Sequence, residues 1–257
     1  MKTYNVVGDI HGQIKYFEEA VKGKRNLILL GDYVDLGVNS KEVLYKVRDI
    51  LKNKNNQAII GNHDEQFLRF LTTNLDEVWH IQWLEEKSYQ TYESFLPKVE
   101  MKHFDDIINL YKKHKDTLFD DYKNFKKVNE KWLKIREYMW DKHESVLTML
   151  SKLPVYIEIK DYVFVHAGVD LRKYKEEWWK TPSNRMTRVY SEYIKEENKT
   201  NKIFVTGHTS SYRASKELGL GQHYGVLDLS KDKKHRKVFC DCGMPFKKIE
   251  VFQLKIK

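Results

Sequence analysis

Gly8-Asp9-Ile10-His11-Gly12, Gly31-Asp32-Tyr33-Val34-Asp35-Leu36-Gly37 and Gly61-Asn62-His63-Asp64 are the three stretches on which the reading of this sequence turns. Each follows a short apolar run: Tyr4–Val7, Asn26–Leu30 and Gln57–Ile60. Short apolar runs ended by Gly read as strands. Between them, Gln13–Lys22 reads as a helix, and Ser40 can cap a second helix that runs to about Leu51. This β-α-β-α-β order predicts a parallel sheet with helices packed on it. In open α/β sheets, ligands bind outside the carboxyl ends of the strands. The carboxylates, imidazoles and amide of the three stretches stand at those ends. The glycines let the chain turn sharply so that side chains can converge.

The same pattern returns after Pro154. Val155–Ile159, Tyr162–Val165, Ile203–Thr206, Val226–Leu229, Val238–Cys242 and Ile249–Leu254 all read as short strands, interrupted by one helical stretch at about Thr187–Asn198. Two of these runs end in a histidine, in Val165-His166-Ala167-Gly168 and Thr206-Gly207-His208-Thr209. The strands predict an α/β fold of two mixed β-sheets packed face to face and flanked by helices, a four-layer sandwich. Residues 65–153 differ. They hold almost no Gly and a single proline, Pro97, with Trp79, Trp83, Trp132, Leu133, Ile135, Tyr138, Met139 and Trp140 at helical spacing. That segment reads as a helical insertion or cap whose aromatic stripe is core. The expectation is one domain over residues 1–257, with the insertion at about 65–153.

The 257 residues are 41% apolar and 32% charged, enough apolar material for a sizeable core, which excludes global disorder. No apolar run approaches the roughly 20 residues that span a bilayer. The start, Met1 to Val7, lacks a signal-peptide pattern. A cytoplasmic location without a membrane partner is therefore expected. Cys240 and Cys242 are too few for a disulfide framework or a four-thiolate zinc site and read as reduced strand residues. The net charge of +9 would suit a nucleic acid or other polyanion. Lys is scattered among Glu and Asp, however, so nucleic acid is not specifically indicated. The densest run, Lys231 to Lys237, reads as a solvated hairpin tip. His80, His103, His114, His143, His223 and His235 read as ordinary surface or core residues.

The five strand-end clusters offer carboxylate, imidazole and amide without thiolate. That donor set suits Mn, Fe or Zn, and its size suits two ions rather than one. One carboxylate between two ions would hold them about 3.5–4 Å apart. Such a pair makes hydroxide from water near neutral pH and neutralises phosphoryl charge in a transition state.

In this order, Gly-Asp-Ile-His-Gly, Gly-Asp-Tyr-Val-Asp-Leu-Gly, Gly-Asn-His-Asp, His-Ala-Gly and Gly-His-Thr resemble the calcineurin-like metallophosphoesterases. Within them the chain is similar to the phosphoprotein phosphatase group, including bacterial and phage serine/threonine protein phosphatases and symmetrical diadenosine tetraphosphate hydrolases. The resemblance covers residues 4–64 and roughly 154–254. It implies that Asp9 and His11 bind a first metal, that Asp32 bridges, and that Asn62, His166 and His208 complete a second site. It implies two divalent ions, most simply Mn, with Fe or Zn as alternatives. His63 would be the general acid, oriented by Asp35, and the nucleophile a hydroxide bridging the ions. Position 210 is Ser, so the Gly-His-x-His of the family's nucleases is absent. The implied activity is a phosphomonoesterase acting on phosphoserine or phosphothreonine in proteins. A hydrolase of dinucleoside polyphosphates or capped RNA is the alternative, and a binding module without turnover a third reading. The implied partner is a phosphorylated protein or a nucleotide. One departure stands out. The family places a phosphate-gripping Arg after the second Asp of its second motif, and here that residue is Leu36. A guanidinium fork binds two phosphate oxygens; Leu binds none. Arg185, in Pro182-Ser183-Asn184-Arg185, is the expected substitute, with Arg69 and Arg213 as weaker ones.

Overall fold

The three early runs form β1 (Lys2–Val7), β2 (Leu27–Leu29) and β3 (Gln57–Ala58), with α1 (Ile14–Val21) and α2 (Ser40–Leu51) between them. The computed structural model describes residues 1–188, 191–243 and 248–256. Next comes α3 (Asn62–Thr72), whose start lies before the segment expected as an insertion, followed within that segment by α4 (Val78–Trp83), a π-helical stretch (Leu84–Ser88), α5 (Tyr89–Phe95), α6 (Lys98–His114) and α7 (Tyr122–Ser151). Beyond it lie β4 (Tyr156–Ile159), β5 (Tyr162–Val165), α8 (Leu171–Tyr174), α9 (Ser183–Met186), β6 (Ile203–Ser210), α10 (Ser211–Glu217), β7 (Leu227–Asp228), β8 (Lys237–Asp241) and β9 (Val251–Ile256).

The strands assemble into a four-stranded sheet, β3-β2-β1-β9, and a five-stranded sheet, β4-β5-β6-β8-β7. β1, β2 and β3 are parallel, as are β5, β6 and β8. The last strand does not stay with the late ones. β9 crosses to pair antiparallel with β1, Val7 opposite Val251. The alternating direction of side chains along each strand builds the layers. Val6, Ile28, Leu30 and Ile59 of the first sheet meet Phe164, Val205, Val238 and Cys240 of the second in one buried cluster. Their neighbours Val7, Leu27, Leu29 and Ala58 face the other way, against α1, α2 and the insertion. Val163, Val165, Phe204 and Phe239 likewise face Leu171, Trp178, Met186 and Ala214. The expected sandwich of two mixed sheets with helices outside is present.

Four local expectations change. Ser40 is the first helical residue of α2, with Asn39 before it at the cap, and its hydroxyl lies 3.0 Å from Thr91 Oγ1. Helix over Thr187–Asn198 reduces, among the described residues, to a 3₁₀ turn at Ser191–Ile194; positions 189 and 190 lie outside them. Lys237 is not at a solvated tip. It is fully buried in β8, its ammonium held by the carbonyls of Tyr193 and Glu196. In the aromatic stripe, Trp132, Ile135 and Met139 are core, but Leu133 and Trp79 are exposed. The Trp132 indole donates to the carbonyl of Phe70 and that of Trp140 to Leu71, tying α7 to α3. No described helix is long and apolar enough to cross a membrane.

Candidate metal centre

The carboxyl ends of the parallel strands converge. Asp9 and His11 follow β1, Asp32 and Asp35 follow β2, and Asn62 and His63 open α3 just after β3. His166 follows β5, and His208 sits within β6 where its register with β8 shifts between Thr206 and Ser210. A register shift of this kind re-aims a side chain. His11, Asp32, Asp35, Leu36 and His208 all have positive φ, between 45° and 69°. Non-glycine residues held in that region cost of order 1 kcal/mol or more each and gather at functional sites. Two glycines are required by close approach: a Cβ on Gly207 would collide with the Asp9 carboxylate, and one on Gly61 with Asp32.

Backbone carbonyls fix the imidazole tautomers. His11 Nδ1 donates to the Val34 carbonyl (2.9 Å) and His166 Nδ1 to that of Leu30 (2.7 Å), which turns each Nε2 toward the centre as the atom that would bind a metal once deprotonated. His166 Nε2 lies 3.0 Å from Asn62 Oδ1 and 3.3 Å from Asp32 Oδ2. His11 Nε2 lies 3.6 Å from Asp32 Oδ2 and 3.9 Å from Asp9 Oδ2. Donor atoms of His11, Asp32 and His63 form one group within 4.8 Å, and those of Asp32, His166 and His208 another. Asp32 belongs to both. Asp9 takes the His208 backbone N–H at 2.9 Å, and Asp32 that of His63 at 3.0 Å. Buried electron-pair donors that face one another, with outer nitrogens locked by carbonyls, are the arrangement a divalent cation satisfies. The residues present fit such a group.

The electrostatics agree. Burial, then the charge of Asp241, pushes the Asp9 carboxyl well above its usual range. Burial also works against the Asp32 carboxylate, but His166 and His63 outweigh it and hold Asp32 below its usual range. Burial would lower His166, yet Asp32 raises it to about 10. Burial and then His166 push His208 down to about 3. Opposed shifts among touching groups in a cleft are a pattern that functional sites share. A divalent cation would take over the role of the proton shared between Asp32 and His166.

Beside this centre, His63 Nδ1 donates to Asp35 Oδ2 at 2.9 Å, and Asp35 is fully buried. Burial lowers the His63 imidazolium, but Asp32 and Asp35 outweigh it and leave it raised. Proximity alone groups His63 with His11 and Asp32, while its Nδ1 bond commits it to Asp35.

A cavity of about 340 Å³ opens onto these groups. Its wall holds Asp9, His11, Asp32, His63 and His208, and also Leu36, Arg213 and Asp241. Residue 36 therefore faces the site, as the motif comparison requires. Arg185 stands elsewhere: its guanidinium is 3.4 Å from Asp170 and it is not part of that wall. Arg69 stacks on exposed Trp79.

Four residues contribute in ways the sequence reading missed. Asp241 ends β8 and lines the cavity, but no glycine stands before it as Gly8 stands before Asp9, so the strand-glycine-acid signal is missing there. Asp64 ties the loops together, accepting from the backbone N–H groups of Asp32 (2.8 Å), Tyr33 (2.9 Å) and Gly61 (3.0 Å). Trp83 and Thr91, from the insertion, reach Asp35. Nothing in their helical spacing separates them from core residues.

The family profile of the calcineurin-like phosphoesterases matches residues 3–241. The chain belongs to that family. It is thus a phosphoesterase, a hydrolase of phosphoric esters. No curated protein matches its sequence. Among solved structures, this phosphoesterase is similar to a candidate diadenosine tetraphosphatase, at 14% identity and a TM-score of 0.50, over 98% of this chain and 92% of that one. It is also similar to a cold-active protein tyrosine phosphatase, at 17% identity and a TM-score of 0.51, over 99% of this chain and 74% of that one. At these identities the likeness is one of fold.

Proposed function

We propose that this phosphoesterase is a two-metal phosphomonoesterase acting on phosphoserine or phosphothreonine in proteins. The observation that carries the reading is the membership of Asp32 in both ligand groups, with the Asp35–His63 pair at the same cavity. Asp9 and His11 would hold one ion, Asn62, His166 and His208 the other, and Asp32 both. When bound, the ions would supply Lewis acidity: hydroxide from water near neutral pH, and compensation of phosphoryl charge. The chain's own groups do the rest. His63, held by Asp35, delivers a proton from Nε2 to the departing alkoxide, which is otherwise a poor leaving group. Arg213, on the cavity wall, would grip the phosphate in place of the Arg missing at Leu36; Arg185 is the alternative grip. The intact Asp35–His63 pair argues against a binding module without turnover.

The test is a parallel assay of p-nitrophenyl phosphate, a phosphothreonine peptide and diadenosine tetraphosphate with added Mn. Efficient turnover of the peptide is expected. Turnover confined to the dinucleotide would replace this reading with a dinucleoside polyphosphate hydrolase. Active protein without any bound transition metal, by elemental analysis, would remove the two-metal proposal.

A further inference from the structure

Asp35 is held by the insertion. Its Oδ1 accepts from Thr91 Oγ1 (3.0 Å), and its Oδ2 from Trp83 Nε1 (3.3 Å) as well as from His63 Nδ1. Its backbone N–H donates to Thr91 Oγ1 (2.9 Å), and that of Leu36 to the Lys87 carbonyl (3.0 Å). Thr91 is fully buried. The Trp83 ring lies 5.0 Å from the His63 ring, centroid to centroid.

We infer that Trp83 and Thr91 are positioning residues for the proton donor, so that the insertion assembles the acid half of the site. The physical reasons are three. A carboxylate buried beside an imidazole has free lone pairs that must be satisfied, or it reorients. Thr91 and Trp83 occupy them, which leaves a single direction for His63 Nδ1–H. Asp35 and Leu36 also carry positive φ (69° and 64°), a backbone conformation that persists only when neighbours over-determine it. The Thr91 hydroxyl and the Lys87 carbonyl are those neighbours. Finally, eight residues of unbroken α-helix would set Trp83 and Thr91 about 80° apart around the axis. The π-helical stretch Leu84–Ser88 between them is wound more widely and brings both side chains onto one carboxylate. Insertions of this type in helices are frequent at functional sites.

The inference rests on His63 being the acid. Its test compares Trp83→Phe, which keeps the ring and deletes the donor, with Thr91→Val and Thr91→Ser. The readout is kcat/KM on a phosphothreonine peptide, whose alkoxide needs the proton, and on p-nitrophenyl phosphate, whose leaving group needs little protonation. Trp83→Phe and Thr91→Val should each lose about tenfold on the peptide and far less on the nitrophenyl ester. Thr91→Ser should restore the peptide rate. In a His63→Asn background neither change should cost more, because the group being positioned is gone. The His63 Nδ1–H proton resonance, assigned by its loss in His63→Asn, should move in Thr91→Val and return in Thr91→Ser. Equal losses on both substrates, a further loss in the His63→Asn background, or an unmoved resonance would overturn the positioning role. If His63→Asn itself loses equally on both substrates, the acid assignment fails and takes this inference with it. Should Trp83→Phe not fold, the Thr91 pair carries the test alone.

Discussion

Replacing Leu36 by Arg tests the position where this sequence departs from its family. Leu36 is 37% exposed and stands between two cavities. One, of about 340 Å³, holds the metal-type ligands. The other, of about 390 Å³, is lined by Glu85, Glu86, Lys87 and Tyr89. A guanidinium at position 36 has two possible partners. Toward the centre it meets substrate phosphate, and a hydrogen bond between charged groups is worth about 1.5–3 kcal/mol. Toward the insertion it meets Glu85 and Glu86, which are already engaged by Lys112 and Gln82 at 2.9 Å each. A new surface ion pair there is worth about 0–1 kcal/mol. The phosphate contact wins, with a net gain of about 1–2 kcal/mol, or about five- to thirtyfold. Arg and Leu are both unbranched at Cβ, so the φ of 64° costs each about the same. The gain should fall on KM, because the phosphoryl oxygens are charged in ground and transition states alike. The assay is kcat and KM for wild type, Leu36→Arg and Leu36→Met on p-nitrophenyl phosphate and a phosphothreonine peptide. Leu36→Met should stay close to wild type. An unchanged KM for Leu36→Arg on both substrates, with the fold intact, would refute the placement of the phosphate beside residue 36.

Asp32→Asn should lose more bound metal and more activity than any other single ligand change, as read by elemental analysis and by activity regained with Mn after chelation; an equal loss in Asp9→Asn would deny Asp32 its shared role. Arg213→Gln should raise KM for phosphate esters by about tenfold, since Arg213 lines the cavity although its Nε also donates to Glu217 (2.9 Å), while Arg185→Gln, off that wall, should change it little; the reverse ranking would return the phosphate grip to Arg185. Lys237 gives a pH dependence. Burial pushes its amine down to about 7, against Glu196 and Asp232, while the unfolded chain keeps that proton to about 10.4. Unfolding between those values takes up a proton, so raising pH disfavours unfolding. Wild type should therefore gain stability relative to Lys237→Met from about pH 7 to about pH 10, at up to about 1.4 kcal/mol per pH unit in denaturant titrations. A difference that is flat with pH would show that the buried amine keeps its charge.

Periodicity along the sequence determined the layers. Val6 and Val7 face opposite sides because strand side chains alternate, and Gly after each apolar run marked where ligands gather. The types and order of Asp9, His11, Asp32, Asn62, His63, His166 and His208 pointed to divalent-metal chemistry, because carboxylate, imidazole and amide at strand ends are donors such ions take. Tertiary structure decided what local pattern does not encode. The pairing of β9 with β1 joins residues some 250 positions apart, and an edge strand carries no signal of which sheet it completes. Lys237 reads as solvated in a Lys-rich run; only the fold shows two carbonyls waiting for its ammonium. Arg185 and Arg213 are equivalent as letters, and helix α10, which starts directly after β6, is what brings one of them to the cavity. Trp83 reads as core at helical spacing and Thr91 carries no signal at all, since periodicity reports which face is buried and not what it is buried against. Their contact with Asp35 depends on a π-helical stretch and on long-range packing, and neither has a local signature.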